Sequence, residues 1–204
     1  MKLSNKTDKC LPVYRTRDLP VSDLVGTFLI SAQVLTATQR ALQQFALDGI
    51  RDGGHEGLVF WAGREIGNET VFLQAVVPDA EHTYGRVHVP KTAVGLAARA
   101  ARSYNLGVLC QVHSHPGRDT RHSDGDDDLI LLPFDGMLSI VVANFGLGFV
   151  SLGQVSVHQF QQGQRACFRN RCHLCFSLLN LLNSPPALRR YLLLHTERAG
   201  SLIS

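Results

Sequence analysis

The sequence is poor in the features that would mark a membrane span, a disulfide scaffold or a disordered chain. Its longest apolar window, residues 129 to 150, is broken by Pro133, Asp135, Asn144 and several glycines. It therefore reads as buried strand and loop, since a spanning helix needs ~20 predominantly apolar residues in a row. The opening residues, Met1 to Cys10, contain no continuous apolar core, so no secretory signal is expected, and the protein is expected in the cytoplasm with no membrane partner. Cysteine is sparse and odd in number: five thiols without a sign of export fit reduced side chains better than a disulfide framework. Charged residues make up only 18% against 45% hydrophobic, which suits a packed globular chain, and a net charge of +3 is too small to imply nucleic acid. Acid is scarcest towards the end. Beyond Asp135 the only acidic residue is Glu197, against Arg165, Arg169, Arg171, Arg189, Arg190 and Arg198. That segment could rest on an acidic partner, although arginines that are solvated or paired within the fold explain the same bias.

A chain of 204 residues is long enough for one domain with a real core and a tail. Residues 24 to 31 are rich in β-branched and large apolar types and read as a strand. Leu35, Leu42, Phe45, Ala46 and Leu47 fall mostly at helical spacing before the stop Asp48-Gly49. Three strand-like runs follow, Leu58 to Gly63, Thr70 to Val77 and Tyr84 to Val89, for which an antiparallel meander is the simplest arrangement. Lys91 to Asn105 is alanine-rich and predicts a second helix with Val94, Ala97, Ala98 and Ala101 on its packing face. Further on, Asp126 to Leu132 predicts a short helix ended by Pro133, and Met137 to Asn144 and Phe149 to Phe160 predict strands. Leu174 to Leu182 and Ala187 to Leu194 read as two short helices separated by Asn183-Ser184-Pro185-Pro186. The order predicts an α+β fold with helices layered on a mixed, largely antiparallel sheet. The expected divisions are an N-terminal extension (1–23), a domain (24–165) and a helical tail (166–204).

One stretch carries chemistry. His113-Ser114-His115-Pro116 follows an apolar run, Val108 to Val112, and is followed after seven residues by Ser123-Asp124-Gly125-Asp126. On a strand, His113 and His115 point to the same face, so two ring nitrogens can converge on one point. Ser123 and Asp126 are three apart, and one helical turn would bring both to one side, adding a carboxylate as third ligand with a hydroxyl close by. Three protein ligands leave a fourth position open for water, as in catalytic zinc sites. Taken singly, Ser-x-x-Asp before an apolar run is also a helix capping box, and two histidines at a strand edge can be purely structural.

The pattern His-x-His, seven residues, Ser-x-x-Asp resembles the metal motif of the JAMM (JAB/MPN) metalloproteases, over residues 24 to 160 or so. The resemblance implies a JAB/MPN domain with cytidine-deaminase-like layering, one catalytic Zn2+ held by His113, His115 and Asp126, and an upstream glutamate. Glu56, at the head of Glu56-Gly57-Leu58-Val59-Phe60-Trp61-Ala62-Gly63, fits that need, with Glu65, Glu69 and Glu81 as rivals. The run after Glu56 lacks a second internal glycine common in relatives, and the last forty or so residues carry no family pattern. Glu56 would act as general acid and base, and Ser123 would donate to the oxyanion, worth on the order of 3 kcal/mol for one well-aimed donor. The implied substrate is a ubiquitin or ubiquitin-like protein or its conjugates, cut after the terminal glycine by isopeptide or peptide hydrolysis, with conjugation enzymes as further partners.

Other readings of the same residues fare less well. A metallo-β-lactamase-like site wants an Asp-His pair where Gly117 and Arg118 stand, and a cupin wants a glutamate the following loop lacks. A calcium loop beginning at Asp124 would need glycine where Leu129 stands and glutamate where Asp135 stands. Cys167, Cys172, His173 and Cys175 include a Cys-x-x-Cys spacing, but adjacent Cys172 and His173 are awkward joint ligands. His122, beside Ser123, is a candidate substrate contact. A catalytically silent scaffold of the same fold, and a DNA-repair-associated protein binding DNA through its arginine-rich tail, are the alternative functions.

Overall fold

The computed structural model describes residues 24–123, 126, 134–147, 155–161, 164–168 and 177–178, the last two spans as backbone only. The first strand, β1 (Thr27–Ile30), leads into α1 (Ala32–Asp48). Ser31 caps that helix, its hydroxyl accepting from the Val34 amide at 3.2 Å, and Gly49 closes it by donating to the Phe45 carbonyl. The stripe that α1 buries is Val34, Thr38, Leu42 and Ala46, every fourth residue, while Leu47, expected on the same face, is exposed.

Strands β2 (Leu58–Ile66) and β3 (Glu69–Val76) form an antiparallel hairpin whose register shifts between Ala62 and Gly63. Glycine is required at that bulge, because a Cβ on Gly63 would lie 2.1 Å from the Val71 carbonyl oxygen. The third run of the expected meander does not join the sheet. Tyr84-Gly85 is a turn, and the segment folds as a separate two-stranded hairpin, β4 (Glu81–Thr83) and β5 (Arg86–His88). Helix α2 (Lys91–Ser103) buries Ala93, Ala97 and Ala101, and Ala98 is exposed instead of lying on the packing face. It ends as Asn105 turns to φ 57° and hands the chain to β6 (Gly107–Ser114).

Strands β7 (Leu138–Val142), β8 (Val155–Gln161), β9 (Gln164–Phe168) and β10 (Ser177–Leu178) complete an eight-stranded sheet in the order β10-β1-β3-β2-β6-β7-β8-β9. It is mixed: β1 runs parallel to β3 and β10, and β6 runs parallel to β7, while the other neighbours are antiparallel. Residues 177–178, expected in a helix, are therefore strand, recruited by backbone pairing with β1. The expected extension at 1–23, the helix from Asp126 to Leu132 beyond its first described residue, the helix at 187–194, and Cys172 and Cys175 lie outside the described residues.

The sheet is covered on both faces. Phe28, Ile30, Trp61, Phe72, Val112 and Ile140 pack with Val34 and Leu42 of α1, whereas Leu58 and Phe60 pack on the opposite face with Ala93 and Ala97 of α2 and Val87 of β5. Strand β2 is buried on both sides, which is why its run is continuously apolar instead of alternating. Burial of each large side chain stabilises by roughly 1.5–3 kcal/mol. Inside the larger cluster the Trp61 indole N–H donates to Thr38 Oγ1 at 2.7 Å, so the core's one indole is not left with an unsatisfied donor. Among the described residues no helix is long and apolar enough to cross a membrane.

Candidate metal centre

The site lies where β6 ends. His113, on the strand, is fully buried, and His115 follows just beyond it on the same face. Strand β6 is held between β2 and β7, so the pair rests on the stiffest part of the sheet. The exit is pinned by backbone: the His115 amide donates to the Val142 carbonyl at 2.8 Å, and the His115 carbonyl accepts from the Phe145 amide at 2.7 Å. Phe145 belongs to three consecutive residues of positive φ, Asn144, Phe145 and Gly146. For a phenylalanine this is a sparsely populated conformation, held in place by those bonds and by packing of its ring against Tyr84.

Asp126 arrives from the other side. Its Oδ2 accepts from the Ser123 amide at 2.6 Å while its own amide donates to Ser123 Oγ at 3.3 Å, the reciprocal bonds of a capping box. Capping and convergence are thus the same geometry. The box aims the Asp126 carboxylate at the histidines: Oδ1 is 3.0 Å from His113 Nε2, Oδ2 is 3.4 Å from His115 Nε2, and the two Nε2 atoms are 3.2 Å apart.

These spacings fit a small divalent cation. A tetrahedral centre with bonds of about 2.0–2.1 Å has donor-to-donor edges of roughly 3.3–3.4 Å; the two Nε2 atoms are near that separation, and each faces one oxygen of the Asp126 carboxylate at a similar distance. Ring orientation agrees for His115, whose Nδ1–H donates to the Asp119 carbonyl at 2.9 Å and leaves the Nε2 lone pair facing the cluster. His113 Nδ1 is buried and makes no hydrogen bond among the described residues, so nothing external fixes that ring's tautomer. The three side chains are also the described His, Cys, Asp or Glu residues whose donor atoms converge as a candidate metal cluster.

Glu56 sits in the segment just before β2 instead of opening the strand, and it is only 8% exposed. Its amide donates to the Thr83 carbonyl at 2.9 Å. The next residue is locked to the metal strand: the Gly57 amide donates to Ser114 Oγ and the Gly57 carbonyl accepts from the Ser114 amide, each at 3.0 Å. Thus Ser114, between the two histidines, ties their strand to the Glu56 segment. Burial pushes the Glu56 carboxyl up to about 8, with His115 opposing and Asp126 adding to the rise. For Asp126 burial also acts upward, but His113 and His115 outweigh it and hold the carboxyl well below its usual range. His115 is raised in turn, because its bond and attraction to Asp126 exceed the desolvation that would lower it. The rival Glu65 and Glu81 are exposed and Glu69 is half-buried on the far hairpin, so burial separates Glu56 from them.

His122 points inward and is 2% exposed, so it is not placed to touch a substrate; its loop folds it beneath Asp126. Sequence reasoning offered this imidazole only as a substrate contact and found no role for the strained Asn144-Phe145-Gly146 turn. The only local signal for the turn was an asparagine and a glycine, both tolerant of positive φ, flanking Phe145.

Comparison with known proteins gives the family. The family described as prokaryotic homologs of the JAB domain matches residues 38–153, more than half of the sequence. The chain belongs to that family. It is 36% identical over 106 residues to "Probable metalloprotease y4jG" of Sinorhizobium fredii (strain NBRC 101917 / NGR234), a match covering 50% of this chain and 65% of that relative, so it spans just under two thirds of the relative's length. Among solved structures, the fold is similar to protein DSY2949 from Desulfitobacterium hafniense, with a TM-score of 0.52 and 13% identity over 69% of this chain and 89% of that one. A JAB1/MPN domain protein from Archaeoglobus fulgidus, AF2198, aligns over 70% of this chain and 94% of its own with a TM-score of 0.39 and 15% identity.

Proposed function

We propose that the protein is a metal-dependent hydrolase of amide bonds, an isopeptidase or peptidase that cuts after the C-terminal glycine of a ubiquitin-like protein. The ion is zinc, held by His113, His115 and Asp126. The observation that carries this reading is a His-His-Asp cluster whose donor atoms converge, with a second, buried carboxyl, Glu56, close enough to be shifted by two of its members. Family membership and the metalloprotease naming of the relative support it.

A zinc ion held there supplies Lewis acidity, polarising the scissile carbonyl and lowering the pKa of water towards ~7. Glu56 takes the proton that the attacking water gives up as its oxygen bonds to the carbonyl carbon. The same carboxyl then hands that proton to the amine nitrogen as the C–N bond breaks, so Glu56 ends each turnover as it began. In the metal-free protein burial holds Glu56 protonated up to about 8, and a bound cation would lower that value and leave a carboxylate able to accept the proton. Ser123 Oγ accepts from the Asp126 amide, and that bond does not consume its own proton, which can be donated to the oxyanion. An extended glycine-ended tail suits the substrate because main-chain pairing needs no particular side chains.

The test is Glu56→Gln against the wild type, assayed on ubiquitin-like proteins joined through their terminal glycine to a lysine-bearing reporter. The variant should keep its zinc and lose about 10²–10⁴-fold in hydrolysis. Hydrolysis by Glu56→Gln at the wild-type rate would end this assignment.

A further inference from the structure

Behind the cluster lies a buried layer of polar groups that the proposed chemistry does not use. Gln111 of β6 is in register with Ser139 of β7, and Ser139 with His158 of β8, making one row across three central strands. All three are at most 3% exposed, at positions where sheet interiors are ordinarily apolar. His122 lies over that row, its ring 4.9 Å from His158 and edge-on to His113 at 6.2 Å, centroid to centroid.

The order of donors along this layer has a direction. The Gln111 amide Nε2–H donates to Ser139 Oγ at 3.0 Å, and Ser139 Oγ lies 3.5 Å from His122 Nε2, where its own proton can be donated. His122 Nδ1 faces Asp126 Oδ2, 4.0 Å away. A lone pair turned to that carboxylate would be repelled and an N–H attracted, so the tautomer with its proton on Nδ1, accepting at Nε2, suits both neighbours. At 4.0 Å the contact with Asp126 is electrostatic, and a site shielded from solvent strengthens it.

We propose that His122 is a positioning residue for Asp126, held by Gln111 and Ser139 with its Nδ1–H towards the carboxylate. The inference rests on the reading of the cluster as a metal site. Among the described residues, the Ser123 amide, His113, His115 and His122 lie against the Asp126 carboxylate. A cation would take the lone pairs of His113 and His115, and those rings would cease to orient the carboxylate. The Ser123 N–H and His122 would continue to do so.

The experiment is Co2+ titration followed by visible absorption, with Zn2+ affinity by chelator competition, on wild type, His122→Phe, His122→Asn, Ser139→Ala and the Ser139→Ala/His122→Phe double variant. His122→Phe should bind both ions about 10–100-fold more weakly and shift the cobalt bands. His122→Asn, whose amide can place an N–H where Nδ1 lies, should recover most of the loss. Ser139→Ala should weaken binding less, and the double variant should be no weaker than His122→Phe alone, since Ser139 acts through the ring. If His122→Phe fails to fold, Ser139→Ala decides, since wild-type affinity and an unshifted cobalt spectrum in it would overturn the inference. Wild-type affinity and spectrum in a folded His122→Phe, or fully additive losses, likewise overturn the inference while leaving the metal site intact. A wild type that binds neither ion overturns the metal reading and this one with it.

Discussion

Two histidine pairs lie close together in this fold, and only one of them forms a ligand set. His113 and His115 bring their Nε2 atoms to 3.2 Å, with both Asp126 oxygens within 3.4 Å. His55 and His82 approach more closely, Nδ1 to Nδ1 at 2.9 Å, beside the very segment that carries Glu56. Yet the carboxylate near them, Asp52, sits 3.4 Å from the opposite nitrogen of His55 and is 74% exposed. There the two nitrogens are within hydrogen-bond distance of each other, and among the described residues no third donor converges with them. The difference teaches that proximity of imidazoles is not what makes the centre; a buried carboxylate aimed at the same point is. In the first pair a strand supplies the aim through its two-residue period and a capping box supplies the carboxylate. In the second, the loop before β2 meets a separate hairpin, and the contact serves packing.

The largest effect should come from breaking the first pair. His113→Ala is expected to lose zinc completely, and His55→Ala to retain it at wild-type stoichiometry, by elemental analysis after dialysis against a mild chelator. Equal retention in the two variants would erase the contrast. Proton release sharpens it further: Asp126 raises the pKa of His115, so zinc uptake must displace that proton above the usual histidine range. Affinity should therefore climb as pH rises through and beyond about 6.5, and a pH-stat should record acid released on zinc addition. In His55→Ala the same release should persist.

Next in size is Glu56. Its folded pKa, near 8, lies above the unfolded value of 4.5, so the neutral carboxyl is the form the fold prefers. That preference contributes fully below pH 4.5 and is lost as pH rises to about 8. Glu56→Gln has no such ionisation. In metal-free protein its stability advantage over the wild type should grow between those limits, with a slope approaching about 1.4 kcal/mol per pH unit, and then level off. Zinc should flatten the curve, because a cation beside the carboxyl lowers its pKa. A pH-independent difference in urea midpoints would show that burial does not set the Glu56 proton.

Much of this was legible in sequence because its causes are local. The two helices announced themselves by period and by their stops, Gly49 and Asn105, and His-x-His on a strand needs nothing beyond the two-residue repeat. The two readings of Ser123 and Asp126 are compatible, because the capping box that holds them also turns the Asp126 carboxylate to the histidines. What could not be read depends on partners distant in the chain. Tyr84 to Val89 alternates like a sheet strand, but whether it joins the main sheet is decided by tertiary packing, and it pairs with its own neighbour instead. Residues 177–178 lie in a run whose sequence reads as helix, yet they pair with a strand, β1, in space. His122 looked like a loop histidine at the mouth of a site. Its burial follows from the polar row Gln111, Ser139 and His158, three residues contributed by three strands.

The smallest effect should come from the second pair. His82→Phe removes the Nδ1–Nδ1 hydrogen bond to His55 but keeps a ring against Phe45, where the histidine now packs edge-on at 4.8 Å. The Glu56 amide would still be held by the Thr83 carbonyl in the same hairpin, and Gly57 by Ser114, so the Glu56 segment stays tied. Losing one partly buried hydrogen bond costs about 1 kcal/mol, and retained ring packing should keep the cost near that figure. Urea midpoints should fall accordingly, with zinc content and affinity unchanged. Zinc loss in His82→Phe would mean that the two pairs are coupled through the Glu56 segment, and the second pair would then be part of the centre's support instead of a neighbour to it.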